Sequence, residues 1–250
     1  MKTYVNIKAV GYAAILFVIT ITGCKKYDDP APLFEEYGGD KTVAERKVLI
    51  ISIDGLSGSE LKIIAPAAIK KLQATSKYSY SVSNPQKTND VSSWVSMMTG
   101  VSINKHGILD DSFLRGQVDD DDHTLIKYYT STYDYVMQYK PTYKTAIITP
   151  WAELRKYMLL ANYTPEAKTD IEVKDSTISL LKQKNIGAMV VNFKDVEAAG
   201  NQGEFLASNE AYKSAVIKAD EYVGNIIDAL KSRKEYATHN CLVIVTTNHA

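Results

Sequence analysis

Val48-Leu49-Ile50-Ile51-Ser52-Ile53-Asp54-Gly55 is an apolar run that ends abruptly in a carboxylate and a glycine. Its β-branched residues follow one another instead of alternating with polar ones, as in a strand buried on both faces. Three further runs share that character: Thr145 to Thr149, Ala188 to Phe193, and Leu242 to Thr246. Helical patterns lie between them. Ser59 to Leu72 sets Leu61, Ile64, Ala68 and Leu72 on one side, and Asp175 to Lys184 repeats the spacing with Ile178 and Leu181. The longest, Asn209 to Ser232, carries Tyr212, Val216, Ala219, Val223, Ile226, Ile227 and Leu230 as one stripe. Strands alternating with helices predict an α/β fold, a doubly wound and mostly parallel sheet with flanking helices, with ligands at the carboxyl ends of its strands.

Those ends carry polar residues of a consistent kind. The first run leads into Asp54-Gly55, the third is followed by Asp195, Glu197, Gly200 and Asn201, and the fourth by Thr247-Asn248-His249. A strand fixes the direction of a ligand and the loop after it leaves room for substrate, so carboxylates and an imidazole here suit a metal site. A strand-end Asp also caps helices, and a lone His often only packs. Between the first and second strands, Asn89 or Asp90 is placed to cap a short helix bearing Trp94, Val95 and Met98 and ending at Gly100. The amino end of such a helix favours phosphate.

The amino terminus reads differently. Lys2 and Lys8 precede an apolar stretch from Ala9 to Ile21, too short for a stable span, which ends in Ile21-Thr22-Gly23-Cys24. This resembles a bacterial lipobox and implies a signal peptide over 1–23, lipid attachment at Cys24, and a cell-envelope location, in the outer membrane or exposed at its surface. Residues 24–46, with Pro30, Pro32 and Gly38-Gly39, read as a flexible tether, and residues 47–250 as the folded domain. That leaves about 200 residues, enough for one core. Lys plus Arg and Asp plus Glu each number 29, so a net charge of zero argues against a nucleic-acid partner. With Cys24 lipidated, Cys241 has no disulfide partner in the chain and reads as a small buried hydrophobe.

Taken in order, the strand with Asp54-Gly55, the segment Ser93-Trp94-Val95-Ser96-Met97-Met98-Thr99-Gly100 followed by His106-Gly107-Ile108, the segment Asp195-Val196-Glu197-Ala198-Ala199-Gly200, and the strand with Asn248-His249 resemble the alkaline phosphatase superfamily, in its phosphodiesterase and nucleotide pyrophosphatase branch. The resemblance implies metal-dependent hydrolysis of phosphate esters, with divalent ions, usually zinc, at the strand ends and a Ser or Thr attacking phosphorus from a helix amino end. It puts Asp54 and His249 at metal-ligand positions. Asp90 stands at the nucleophile position, as nucleophile itself or as a ligand, with Thr88, Ser92 and Ser93 as nearby hydroxyls and Thr88 the one to test. Asn248 replaces a metal-binding Asp, and Glu197 and Asn201 replace an Asp and a His, which gives an oxygen-rich set that also suits magnesium or calcium. The resemblance further implies additional strands and another histidine beyond Ala250. Two functions follow: a hydrolase of small phosphate esters or phosphorylated glycans, or a catalytically degenerate, membrane-anchored module that binds a ligand or glycan. The acidic run Asp119 to Asp122 reads as a solvated loop, the tyrosines at 128, 129, 133, 135, 139 and 143 as packing, and His106 as structural. His123 and His239 receive no role.

Overall fold

The computed structural model describes residues 45–82, 89–114, 129–158 and 160–249. Cys24, Thr88, the acidic run 119–122, His123 and Tyr128 lie outside the described residues. Within them, four parallel strands, β1 (Arg46–Ile53), β2 (Thr145–Ile148), β3 (Ala188–Phe193) and β4 (Asn240–Thr246), stand in the order β2-β3-β1-β4. Val48 lies opposite both Ala188 and Leu242, so β1 is central and Asp54 leaves the sheet at its middle.

The strands are apolar at successive positions because each face has its own core. Leu49, Ile51, Ile53, Met189, Val191 and Phe193 point to one side, while Ile50, Val190 and Ile147 point to the other. On the first side lie α1 (Gly58–Ile64), α2 (Ala67–Gln73), α7 (Asp170–Gln183) and the 22-residue α9 (Glu210–Lys231). On the second lie α3 (Asp90–Thr99), α5 (Thr132–Tyr139) and α6 (Ala152–Tyr157), which contribute Trp94, Val95, Met98, Tyr133 and Leu154. Two short helices, α4 (Ile103–His106) and α8 (Asp195–Asn201), complete the α-helices among the described residues, and a single 3-10 turn, Tyr236–Thr238, precedes β4. This is the doubly wound α/β arrangement that the alternation predicts.

Three expectations need correction. The pattern from Ser59 to Leu72 is two helices, broken where Ala65 adopts a left-handed φ of 47° ahead of Pro66, which disfavours a helical conformation in the residue before it. Helix α7 begins at Asp170, earlier than Asp175, because Thr169 caps it through the Glu172 amide. Strand β4 is not buried on both faces. It is an edge strand, and Leu242 and Ile244 are 55% and 37% exposed, while Cys241, Val243 and Val245 pack partly against the α7–α9 side. By contrast α3 follows the expected punctuation: Asn89 and Ser92 form a reciprocal capping box, and Gly100 closes it in the left-handed region.

Helix α2 starts after Pro66, which offers no side-chain cap. Asp220 of α9, 4% exposed, supplies one from far along the chain by accepting from the Ala68 and Ile69 amides at 2.8 and 2.7 Å. Removing that carboxylate strands two amides, one of them buried, and costs about 2–4 kcal/mol. Asp220→Ala is therefore expected to lower the urea midpoint accordingly, and a loss below about 0.5 kcal/mol, the range of ordinary surface changes, would rule out this capping role.

Candidate active site

Four segments converge at the carboxyl ends of β1, β3 and β4. The β1 ladder continues one residue beyond the strand, where the Asp54 amide donates to Phe193 O at 3.0 Å. Gly55 then turns with φ +75°, and a Cβ there would lie 2.7 Å from Glu197 Cα, so glycine is required both for the turn and for the approach of α8. The Gly55 amide donates to His249 O at 3.1 Å, which ties the first strand end to the fourth. Tyr212 of α9 holds the same turn: its hydroxyl donates to Gly55 O at 2.9 Å and accepts from the Ser57 amide at 3.0 Å.

Asp54 is completely buried and accepts from Ser52 Oγ at 2.8 Å and Trp94 Nε1 at 3.1 Å. Burial, and next the charge of Asp90, push its carboxyl up to about 6 against the opposing pull of Lys194. Lys194, the residue just past β3, lies at the centre of the cluster. Its ammonium pairs directly with Asp90 Oδ2 and Glu197 Oε2, sits 3.6 Å from Asp54 Oδ2, and stands 4.9 Å from the centre of the Trp151 ring. Burial pulls this ammonium down, yet Asp54, Asp90 and Glu197 hold it up at about 12.

Glu197 faces His249, with Oε1 at 3.5 Å from Nε2. Burial would raise the Glu197 carboxyl, but its pairing with His249 and Lys194 takes it down to about 2. His249 moves upward in return, through its pairing with Glu197 and against its own burial. Asn248 organises the rest: its Nδ2 donates to Asp90 Oδ1, and its Oδ1 accepts from the His249 amide at 2.8 Å and lies 2.9 Å from Nδ1.

One oxygen each of Asp90 and Glu197 and one nitrogen of His249 lie within 4.8 Å of one another. Two carboxylates and an imidazole at that spacing fit a divalent ion. Of the residues singled out from the sequence, Asp54, Asp90, Glu197, Asn248 and His249 are brought together. Asn201 is exposed at the end of α8, and no described hydrogen bond joins it to the cluster. The Ser92 hydroxyl belongs to the capping box, while the buried Ser93 hydroxyl has no partner among the described residues. His106 is structural: it is 3% exposed, with Nε2 3.0 Å from Ser96 Oγ and Nδ1 accepting from the Ile108 amide. Lys194 escaped the sequence reading although it too directly follows a strand, because a cation at a strand end reads as a solvated side chain and not as a metal ligand.

The Glu197 pairings have a pH signature. A carboxyl depressed from 4.5 to about 2 contributes stability that is complete above pH 4.5 and lost as pH falls toward 2. Glu197→Gln is expected to flatten the fall of stability in that window, followed by denaturant melts at stepped pH. An unchanged slope would dissociate Glu197 from both partners.

No curated protein matches the chain. Among solved structures it is similar to BT1596, a 2-O GAG sulfatase, with a TM-score of 0.57 and 10% sequence identity over 80% of this chain and 57% of that one. That likeness concerns the fold, and the chain spans little more than half of that protein's length. The family model for type I phosphodiesterase / nucleotide pyrophosphatase matches residues 48–250, all four convergent segments included. The chain belongs to the type I phosphodiesterase / nucleotide pyrophosphatase family.

Proposed function

We propose that the domain hydrolyses phosphate or sulfate esters with the help of one divalent cation held by Asp90, Glu197 and His249, with Asp54 beside them. The convergence of those three ligand atoms at the strand ends carries the reading. Zinc is the ion the family resemblance favours, and the carboxylate share of the set also suits magnesium or calcium. Such an ion supplies Lewis-acid polarisation of the ester oxygen and lowers the pKa of bound water.

The chain's own residues do the positioning. Asp90 opens a ten-residue helix whose amino end favours negative charge, so an ester anion is attracted along the α3 axis. Asn248 fixes the orientation of both Asp90 and His249. Trp94 and Ser52 hold Asp54 in place beneath them. With Asp90 acting as a ligand, the Ser92 hydroxyl engaged in the cap and the Ser93 hydroxyl buried, we take water as the attacking group, a choice that the Thr88→Ala variant tests.

A second reading rests on Lys194, whose ammonium already engages Asp90 and Glu197. Together with the neutral Asn248, it favours a module that binds an ester or glycan without turning it over. One experiment separates the two: hydrolysis of nitrophenyl phosphate, bis-nitrophenyl phosphate and nitrophenyl sulfate, with chelator and then with zinc, magnesium or calcium restored. The hydrolase predicts turnover that chelator abolishes, that Asp90→Ala lowers by about a hundredfold or more, and that Thr88→Ala leaves within about twofold. Absence of turnover with every ion and ester supports the binding module, whereas a Thr88→Ala loss as large as that of Asp90→Ala returns the attack to a hydroxyl.

The lipobox-like segment supports export and anchoring through Cys24. Metabolic labelling with a radioactive fatty acid is expected to mark the chain and to fail for Cys24→Ser; equal labelling of both would remove the anchor from the proposal.

A further inference from the structure

We propose that Lys194 is the resident cation of this centre, a tethered competitor that sets how tightly Asp90, Glu197 and His249 take a divalent ion; this rests on the metal reading above. The ammonium is not a bystander at the rim. It engages Asp90 Oδ2 and Glu197 Oε2 directly and stands 3.6 Å from Asp54 Oδ2, so one charge serves three carboxylates. The Trp151 ring, 4.9 Å from Nζ, closes another side, a surface that suits an ammonium and offers a metal no ligand.

The backbone aims the side chain. The Lys194 amide donates to both oxygens of Asp170 at 2.9 and 3.1 Å, and Asp170 is 1% exposed. The Lys194 stem therefore leaves a fixed point at the amino end of α8, whose third residue is Glu197. Asn248 Nδ2 takes the second oxygen of Asp90, which leaves neither of its oxygens idle.

A divalent ion that reaches Asp90 and Glu197 must use the acceptors that hold the ammonium, and two cations cannot share that space. Lysine suits this role better than arginine, because its compact charge on a flexible stem can withdraw and return. Neutralising the residue leaves Asp54, Asp90 and Glu197 without their partner. Metal affinity should then rise by about ten- to a hundredfold, as expected from removing one like charge a few ångströms from the ion.

The test is calorimetric titration of zinc and of magnesium into the full chain, comparing the wild type with Lys194→Met, Lys194→Gln and Lys194→Arg. Circular dichroism establishes that each variant is folded. Both neutral variants are expected to bind metal at least about tenfold more tightly than the wild type, with Lys194→Arg no tighter than the wild type. Equal affinities in folded neutral variants and wild type would overturn the proposal, as would weaker binding in the neutral variants. If neither neutral variant folds, the wild type decides through NMR of its lysine side chains. Saturating zinc should move one lysine signal from a shielded to a water-like environment, and no movement overturns the idea.

Failure of the hydrolase reading is separately visible. Tight metal binding by Lys194→Met without turnover of any ester keeps the role of Lys194 and removes hydrolysis. Metal-dependent turnover by the wild type with affinities indifferent to residue 194 does the reverse.

Discussion

A fully buried carboxylate, Asp54, sits at the end of the central strand, and much of the surrounding structure follows from the need to compensate it. An ionised group in that position is costly unless it is paired and hydrogen-bonded. The chain answers with the Ser52 hydroxyl from within the strand, the Trp94 indole from α3, and the Lys194 ammonium from the end of β3. Each answer commits an element. Trp94 is also the largest fully buried side chain of the α3 side, so compensating Asp54 and filling the second core are one act of packing. Lys194 brings Asp90 and Glu197 into the same network, and His249 follows through Glu197.

A second constraint runs through the helices on the α9 side. Two of them, α2 and α8, are short and lack a cap of their own, and carboxylates distant in sequence supply one. Asp220 caps α2, and Asp170 receives the Lys194 and Asp195 amides that open α8. In each case a buried or nearly buried acid meets unsatisfied amides, which benefits from the helix dipole as well as the hydrogen bond. The position of α8, which carries Glu197, is thereby fixed from α7, outside the site itself.

How much of this the sequence disclosed depends on range. Continuous Val and Ile runs revealed the strands, because burial on two faces leaves no polar alternation. The capping box at Asn89 and the stop at Gly100 were legible because their partners lie within a few residues. The break at Ala65 was legible in principle through Pro66, but the apolar spacing continued across it and masked the signal. The exposed face of β4 was hidden, since strand order decides which strand lies at the edge and composition does not record it. At the site, the ordered motifs pointed to Asp54, Asp90, Glu197, Asn248 and His249, which the fold gathers. Asn201 falls at a helix end facing solvent, and Lys194 was missed because a cation among ligand positions has no place in a search for ligands.

The Tyr212 hydroxyl has a bearing on how this protein moves. It joins the turn after Asp54 to the first turn of α9, the longest helix among the described residues, whose apolar stripe is the bulk of one core. A loop at the mouth of a site is ordinarily among the first parts of a protein to open. Here the loop cannot leave without breaking a bond to a side chain that is itself fully buried. Opening at Gly55 and Ser57 therefore has to break two hydrogen bonds to a core side chain together, which gives this turn a share in the stability of the core that a free loop would lack.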